Sequence, residues 1–440
     1  MLLRFKTSNY RSFREEIVLD MEAASFNEYK ECLLEYKKDN YLPNVAIYGK
    51  NGGGKSNLIR SFWLAVQFIT NAQRTQHETA EIPVRPFELD DYSKDNPTFF
   101  EFEYVYKNKK YIYGFQATKK EVVKEYLYSY PKGQKVNVFE RNYQEYHFVS
   151  NSEKKMKELI KGAVAGNQLF FAIACTMNYA PCIEAMGWFR NQIFFARDFV
   201  DIGKSLLSNR EDSEMLKTIV SVAKIADIGI CDMKFEINNL EISDLGELPE
   251  DIGEDVKLQI KKAFSNFKQA LESGPNEAEG KLQYSEVKAT SFHSGVTKSG
   301  EGKEFSMGLS DESDGTRKLM ALYPAIENAL RVGGVVLVDE IEKELHPLLV
   351  EYLIGLFQGE KNQHGAQMIF TTHSTEIMGR ELLRRDQIYF VDKNKTVDES
   401  DDVLVATGSA ARIGCGVEYG VQCGKDKVWH CVASERFCEA

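Results

Sequence analysis

The feature that constrains this chain most is the stretch GKNGGGKS, which runs from Gly49 to Ser56. It follows the apolar run NVAIY and precedes an amphipathic stretch, SNLIRSFWLAVQFIT. The fit to G-x-x-x-x-G-K-S predicts a phosphate-binding P-loop between a buried strand and a helix, because glycines let the backbone amides wrap around a phosphate. A chance glycine-rich turn is the alternative, but both flanking elements of an α/β domain are present.

This loop supplies most of the expected nucleotide contacts. The Lys55 ammonium would contact the β- and γ-phosphates and act in catalysis, and the Ser56 hydroxyl would bind Mg²⁺. The whole expected nucleotide-binding set in this loop is Gly49, Asn51, Gly52, Gly53, Gly54, Lys55, Ser56 and Asn57.

Two further apolar runs end in polar residues that suit phosphate chemistry. VVLVDE ends in Asp339, expected to hold Mg²⁺ with Ser56, and in Glu340, expected to act as general base on the attacking water. MIFTTHS contains His373, which would hydrogen-bond the γ-phosphate. The alternatives are a strand ending in solvated acids and a structural histidine, and the shared presence of a P-loop favours the catalytic interpretation.

A second candidate anion site lies far from the P-loop, in SDESDGTRKLMALYP, residues 310–324. Ser313 and Gly315 stand where a helix is expected to begin, and helix N-termini attract anions. Arg317 and Lys318 would add positive charge there, or would be ordinary solvent-facing cations of the helix.

Composition narrows the class of protein. The net charge of −11 argues against a surface coated for nucleic acid, although a local basic groove stays possible. No apolar run approaches the ~20 residues that span a bilayer, and the start MLLRFKTSNYRSF does not resemble a signal peptide. We therefore expect a cytoplasmic protein that does not bind membranes, with its cysteines reduced.

The order of these motifs resembles the ABC-type ATPase heads of the SMC, double-strand-break repair and RecF group. It resembles more closely the bacterial AAA-type ATPases that include the OLD proteins and the ATPases of phage-defence loci. NYRSF, ESDGTRKL, DEIEKELHPLL and TTHS are typical of that group, and the resemblance covers roughly residues 1 to 395. It implies an α/β P-loop NTPase with an ABC-ATPase-like head, an N-terminal antiparallel β subdomain and a mainly helical insertion.

The resemblance also implies the activity and the partners: ATP hydrolysis with ATP and Mg²⁺ as cofactors. In such heads two subunits meet head to tail, so Ser313 and Gly315 would donate to the γ-phosphate held by the partner of a homodimer, which could assemble further. The implied role is anti-phage defence, as sensor or regulator of a separately encoded effector such as a nuclease. Glu342 and His346 would contact the partner's site or merely cap a helix.

The expected divisions of the chain follow from these motifs and the local patterns. Two strands around a turn and a β-hairpin, TFFEFEYVYKNKKYIYGFQA, are expected in the first part, helices from about residue 151 to 273, and a loop at SFHSGVTKSGEGKEF. The expected domains are 1–145 and 286–395 for the two halves of the head, 146–285 for the insertion and 396–440 for a divergent, cysteine-rich tail with little structure. The tail cysteines lack the close pairs of zinc modules, so no metal site is predicted there.

Three other functions stay open at this point. A RecF-like or SMC-like ATPase for DNA repair or DNA-end binding would lose DNA affinity steeply with salt. A non-hydrolysing, ATP-gated scaffold would have no use for Glu340 as a base. A monomeric P-loop NTPase or kinase would have no use for the ESDGTRKL helix or for His373. We expect adenine rather than guanine, because no N-K-x-D motif follows a strand.

Overall fold

A computed structural model describes residues 1–71, 80–149, 153–196, 213–226, 229–242, 261, 282–379, 382–397, 404–412, 419–423 and 429–433. The chain divides into two compact units, which are Met1–Arg197 with Ala325–Ala440, and Asp198–Pro324. The expected domain boundaries do not coincide with this division, since residues 146–197 belong to the first unit.

The secondary structure of the described residues alternates between strands and helices. The helices are α1 (Lys55–Asn71), α2 (Asp91–Asp95), α3 (Lys154–Ala163), α4 (Phe170–Thr176), α5 (Ala180–Asn191), α6 (Ser213–Ala226), α7 (Asp314–Val332), α8 (Pro347–Gln358) and α9 (Thr375–Gly379). The strands are β1 (Leu2–Ser8), β2 (Ile17–Asp20), β3 (Leu34–Tyr36), β4 (Asp39–Tyr41), β5 (Asn44–Tyr48), β6 (Thr98–Tyr106), β7 (Lys109–Ala117), β8 (Val122–Tyr130), β9 (Val136–Asn142), β10 (Glu145–His147), β11 (Ile193–Ala196), β12 (Ile230–Ile242), β13 (Leu282–Val296), β14 (Gly302–Gly308), β15 (Val335–Val338), β16 (Gln367–Thr371), β17 (Ile388–Val397), β18 (Leu404–Arg412), β19 (Tyr419–Cys423) and β20 (Trp429–Ala433).

A mainly parallel sheet carries the candidate site. Its strand order is β11-β15-β16-β5-β17-β18, parallel throughout except for the last pair. Every residue of β5, β15 and β16 is buried, as expected for strands covered on both faces. Because parallel strands end at one edge of a sheet, the residues that follow β5, β15 and β16 meet there.

The first unit also contains an antiparallel sheet, and here the sequence predictions are confirmed. Its order is β10-β9-β8-β7-β6-β1-β2, with β1 pairing with β2 around a turn and β6 pairing with β7 as a hairpin. The fold is thus that of an α/β ABC-type ATPase head with an N-terminal antiparallel subdomain.

Helix α1 is held between these sheets by aromatic packing. The Phe62 ring lies 4.8 Å from the ring of Phe5 and 5.0 Å from that of Phe102, centroid to centroid. Helix α5 covers the same face, with Trp188 stacked on Tyr104 at 4.4 Å. Burying a side chain of this size stabilises the fold by about 1.5–3 kcal/mol, so α1 is firmly placed behind the loop that precedes it.

A buried ion pair fixes the start of α4 against the antiparallel sheet. The guanidinium of Arg141 lies 3.5 Å from the carboxylate of Glu125, and both side chains are fully buried. Glu125 also accepts hydrogen bonds from the backbone amides of Phe170 and Phe171 and from the hydroxyl of Tyr113. Every charge in this cluster is therefore compensated, as burial requires.

The second unit is built around a three-stranded antiparallel sheet, β12-β13-β14. Apolar residues of α6, β12 and α7 form its core, among them Ile219, Met233 and Met320. The loop expected at SFHSGVTKSGEGKEF is instead the hairpin of β13 and β14. Glycine and serine suggested a loop, but only the turn needs them, where Gly300 has φ 81°.

Two other expectations concern the helical stretch in the middle of the chain and the tail after residue 396. Helices α3 to α6 lie within residues 146–285, whereas residues 254–273, at the end of the stretch expected to be helical, lie outside the described residues except for residue 261. The expectation of little structure after residue 396 was wrong, because β18 pairs with β17 and β19 with β20. A strand added at β17 covers an edge that would otherwise be unpaired.

Helix α7 contains Pro324, and the division between the two units falls directly after that residue. No helix among the described residues is long and apolar enough to cross a membrane.

Candidate functional site

The stretch GKNGGGKS forms the turn between β5 and α1. Gly49 has φ 153°, and a Cβ built there would lie 2.1 Å from the main-chain oxygen of Val391. Gly54 has φ 116°, and its Cβ would lie 2.9 Å from the hydroxyl of Ser12. No side chain fits at either position, so these glycines are required for the loop to lie this close to its neighbours.

Lys55 is the first residue of α1, so its neighbours present the free amides of a helix N-terminus. Its side chain is only 5% exposed and donates to the carbonyl oxygens of Gly49 at 2.7 Å and Lys50 at 3.2 Å. Burial lowers the pKa of the Lys55 ammonium, and three carboxylates oppose that shift: Glu340, Glu342 and Asp339. A buried cation beside free helix amides fits the polyphosphate of a nucleotide.

The hydroxyl of Ser56 donates to the carboxylate of Asp339 at 3.0 Å, which joins the loop to the end of β15. Thr371, at the end of β16, donates to the same carboxylate oxygen at 2.6 Å. A serine hydroxyl beside a carboxylate is the oxygen donor set that Mg²⁺ uses with phosphates and water. Among the described residues no cluster of three His, Cys, Asp or Glu could hold a metal.

Glu340 stands next to this pair in an unusual backbone conformation. Its φ is 51°, in the left-handed region, which costs a residue other than glycine about 1–3 kcal/mol. Its backbone N–H donates to the hydroxyl of Thr371 at 2.7 Å. Thr371 therefore connects Asp339 and Glu340, and it fixes the strained turn that directs the Glu340 side chain.

His373 follows β16 and reaches the loop lysine. Its Nδ1 lies 3.4 Å from the Nζ of Lys55, and its backbone N–H donates to Oε1 of Glu342 at 2.6 Å. The sheet edge therefore brings Lys55, Ser56, Asp339, Glu340 and His373 into one site.

Ser313 and Gly315 lie in the second unit, at the start of α7. The Ser313 hydroxyl accepts from the backbone N–H of Thr316 at 3.1 Å, so Ser313 is the N-cap of the helix. Ser313 is exposed and Gly315 is half-buried. The expectation that a helix begins at these small residues is confirmed. Their expected contact with the nucleotide of a partner subunit stays a prediction.

Sequence reasoning did not single out Thr371 or Ser12. Thr371 could have been suspected, since it is a polar residue ending an apolar strand. Ser12 belongs to the NYRSF motif, but its contact with the Nδ2 of Asn57, 2.9 Å away, joins distant parts of the chain and could not be predicted from that motif. Glu342 was considered only as a partner contact or a cap residue, and the structure places it on the backbone of His373. Of the remaining loop residues of the expected set, Asn51 and Gly52 are exposed and Gly53 is buried.

Fold and site together define a P-loop ATPase head of the ABC type. The chain matches the model of the family described as "AAA domain, putative AbiEii toxin, Type IV TA system" over residues 45–152 and 176–379, and it belongs to that family. None of the curated proteins matches this chain.

Several solved structures are similar to the chain at low identity. An SMC head bound to the C-terminal winged-helix domain of ScpA has 11% identity and a TM-score of 0.41, with 94% of this chain and 98% of that chain covered. The SMC head domain from Thermotoga maritima has 11% identity and a TM-score of 0.36, with the same coverage. The recombination mediator RecF has 13% identity and a TM-score of 0.33, with 89% and 95% covered. The fold assignment rests on the topology and on the family match.

Proposed function

We propose that this chain binds ATP with Mg²⁺ and hydrolyses it. The observation that carries the proposal is the contact of Ser56 with Asp339, because it joins the phosphate loop to the acids that end β15. Lys55 and the amides at the start of α1 would bind the β- and γ-phosphates, while Ser56 and Asp339 would hold the cation. Mg²⁺, when bound, would neutralise charge on the phosphate oxygens.

Glu340 would take the proton of the attacking water. The new bond forms between the water oxygen and the γ-phosphorus, the bond to the ADP oxygen breaks, and ADP and phosphate leave. The hydrogen bond from the Glu340 amide to Thr371 supports this role, since it fixes the backbone of Glu340 through the same hydroxyl that binds Asp339 and does not use the Glu340 carboxylate. His373, beside Lys55, would contact the γ-phosphate and so distinguish ATP from ADP.

Two subunits would dimerise head to tail around ATP. Ser313 supports this step, because it is exposed at a helix start, where its hydroxyl accepts the N–H of Thr316 and lies 2.8 Å from the Thr316 hydroxyl. ATP would then bind the dimer more tightly than the monomer, and would therefore drive association by linkage. Hydrolysis would release the subunits.

The proposed biological role is that of a sensor or regulator of a separate effector, such as a nuclease, in bacterial defence against phage. It is supported by the family resemblance of the motifs, and a fold alone does not settle it. Growth arrest on expression of this chain alone would instead favour the toxin that the family's description names.

The decisive measurement is the mass in solution of the Glu340→Gln protein, with and without ATP and Mg²⁺. This variant should bind ATP without consuming it, so ATP should convert monomer into dimer. Adding Ser313→Arg should abolish the dimer, because the larger side chain would occupy the phosphate contact. Ser299→Arg, the same change at an exposed residue of the β13–β14 turn, is the matched control and should dimerise normally.

Each other outcome contradicts a part of the proposal. A constant mass together with ATP turnover by the wild type would refute ATP-driven dimerisation but not hydrolysis. A stable oligomer without ATP and without turnover would favour the ATP-gated scaffold. Dimerisation with GTP but not with ATP would refute the expected adenine preference.

A further inference from the structure

The segment that follows the two acids of β15 is held rigidly against the end of β16. Ile341 is fully buried, and its N–H donates to the carbonyl oxygen of Thr371 at 3.1 Å. The next turn is closed by a hydrogen bond from the N–H of Lys343 to the carbonyl oxygen of Glu340 at 3.0 Å. The backbone on both sides of Glu342 is therefore fixed, and the direction of its side chain follows from it.

Glu342 uses this direction to bind the backbone of His373. Its Oε1 accepts the N–H of His373 at 2.6 Å, a short bond of the charge-assisted kind. Its Oε2 is shielded from solvent and accepts no hydrogen bond from the described residues. The carboxylate of this half-buried residue therefore makes its one hydrogen bond to the described residues through Oε1, to the backbone of His373.

His373 connects Glu342 to the phosphate-binding lysine of the candidate nucleotide site. The imidazole of His373, whose backbone Glu342 holds, lies 3.4 Å from the ammonium of Lys55. Glu342 thus contacts the residue expected to recognise the γ-phosphate, and that residue in turn lies beside the lysine expected to bind it.

We propose that Glu342 is a positioning residue that sets His373 against the nucleotide of its own subunit, and does not reach across to the partner's nucleotide. This inference rests on the proposed ATPase function. It implies a way to regulate the site. A displacement of the segment after β15 would move His373 and change the rate of ATP turnover, without altering how the P-loop binds the diphosphate. Glu342 is followed by two exposed residues, Lys343 and Glu344, and a second subunit that contacts them could displace this segment.

The first experiment is a double-mutant cycle in ATP turnover between Glu342→Ala and His373→Ala. Each single change should lower kcat by roughly 100-fold, since a misplacement of about 1 Å can cost that much. The double variant should be no slower than His373→Ala alone, because Glu342 acts through His373. Affinity for ADP should stay within about threefold of wild type, as the P-loop is untouched.

Two further variants separate positioning from general damage. Glu342→Gln keeps an oxygen acceptor for the His373 N–H and should restore most of kcat. Glu360→Gln makes the same change at an exposed side chain just after α8 and should behave as wild type. Losses in Glu342→Ala and His373→Ala that multiply would overturn the proposal, as would a Glu342→Ala protein with wild-type kcat.

The second experiment mixes inactive subunits. Lys55→Ala mixed with Ser313→Arg should regain activity, because one composite site of the mixed dimer is intact. Lys55→Ala mixed with Glu342→Ala should stay inactive if Glu342 serves its own subunit, and recovery there would overturn the proposal. Failure of the first mixture alone would refute the trans-capped dimer of the proposed function, and the double-mutant cycle would still test Glu342 within one chain.

Discussion

The hydroxyl of Thr371 offers the sharpest test of how the acids of this site are held. Replacing Thr371 by valine keeps the shape of a fully buried side chain and removes only the hydroxyl. That hydroxyl donates to Asp339 at 2.6 Å and accepts the N–H of Glu340 at 2.7 Å. The substitution therefore leaves Asp339 with Ser56 as its remaining hydroxyl donor and leaves the Glu340 amide without its acceptor.

The magnitude follows from these two bonds. A hydrogen bond to a charged group contributes about 1.5–3 kcal/mol and an orphaned buried amide costs about 1–3 kcal/mol, so the site should lose about 2.5–6 kcal/mol. If about 2 kcal/mol of this falls on the placement of Glu340, which already has a left-handed φ, kcat should fall about 30-fold. ATP affinity should change little, because Lys55 and the helix start are unaffected.

The assay is steady-state phosphate release together with the dissociation constant of a fluorescent ATP analogue. Thr372→Val is the matched control: Thr372 is also fully buried, but among the described residues its hydroxyl accepts the N–H of Ser374 alone, at 3.0 Å. Thr371→Ser should recover most of the activity. Equal turnover of Thr371→Val and Thr372→Val would refute the reasoning.

Three further predictions concern other parts of the chain. Gly49→Ala should abolish binding of the fluorescent ATP analogue, since its Cβ would lie 2.1 Å from a main-chain oxygen of β17, and binding near wild-type strength would contradict the described loop. Arg141→Met should lower the free energy of unfolding by about 3–5 kcal/mol in urea titrations, because the buried carboxylate of Glu125 loses its cation. Adding Glu125→Gln should recover part of this loss, and a double variant less stable than the single one would argue against the ion pair. His293→Ala should raise the ATP concentration for half-maximal dimerisation about tenfold, because the Nε2 of His293 lies 2.7 Å from the buried carboxylate of Glu312, directly before the N-cap of α7. Unchanged dimerisation, measured by light scattering, would show that this contact does not hold the helix start.

Much of the candidate site could be predicted from the sequence, because its parts are local patterns on buried strands. The glycines of residues 49–56 identify the P-loop, and Asp339 and His373 each follow an apolar run. Parallel strands bring such ends to one edge, so three separate motifs predicted one site.

The rest depends on contacts between distant residues, which no local pattern contains. Ser12 packs against the P-loop only because the turn after β1 folds back onto α1. Glu342 and His373 are 31 residues apart, and their bond depends on the register of β15 against β16. The hairpin of β13 and β14 was mistaken for a loop, because its many glycine and serine residues were given more weight than the pattern of its side chains.

The proline within α7 has a mechanical consequence. Proline has no N–H, so Pro324 cannot make the hydrogen bond that would continue the helix, and its ring disturbs the preceding turn. The helix is therefore least stiff at the residue where the two units separate. The same helix begins one residue after Ser313 and is followed, after two glycines, by β15, which Asp339 and Glu340 follow. One helix with a missing backbone hydrogen bond at its proline therefore lies along the chain between Ser313 and these two acids.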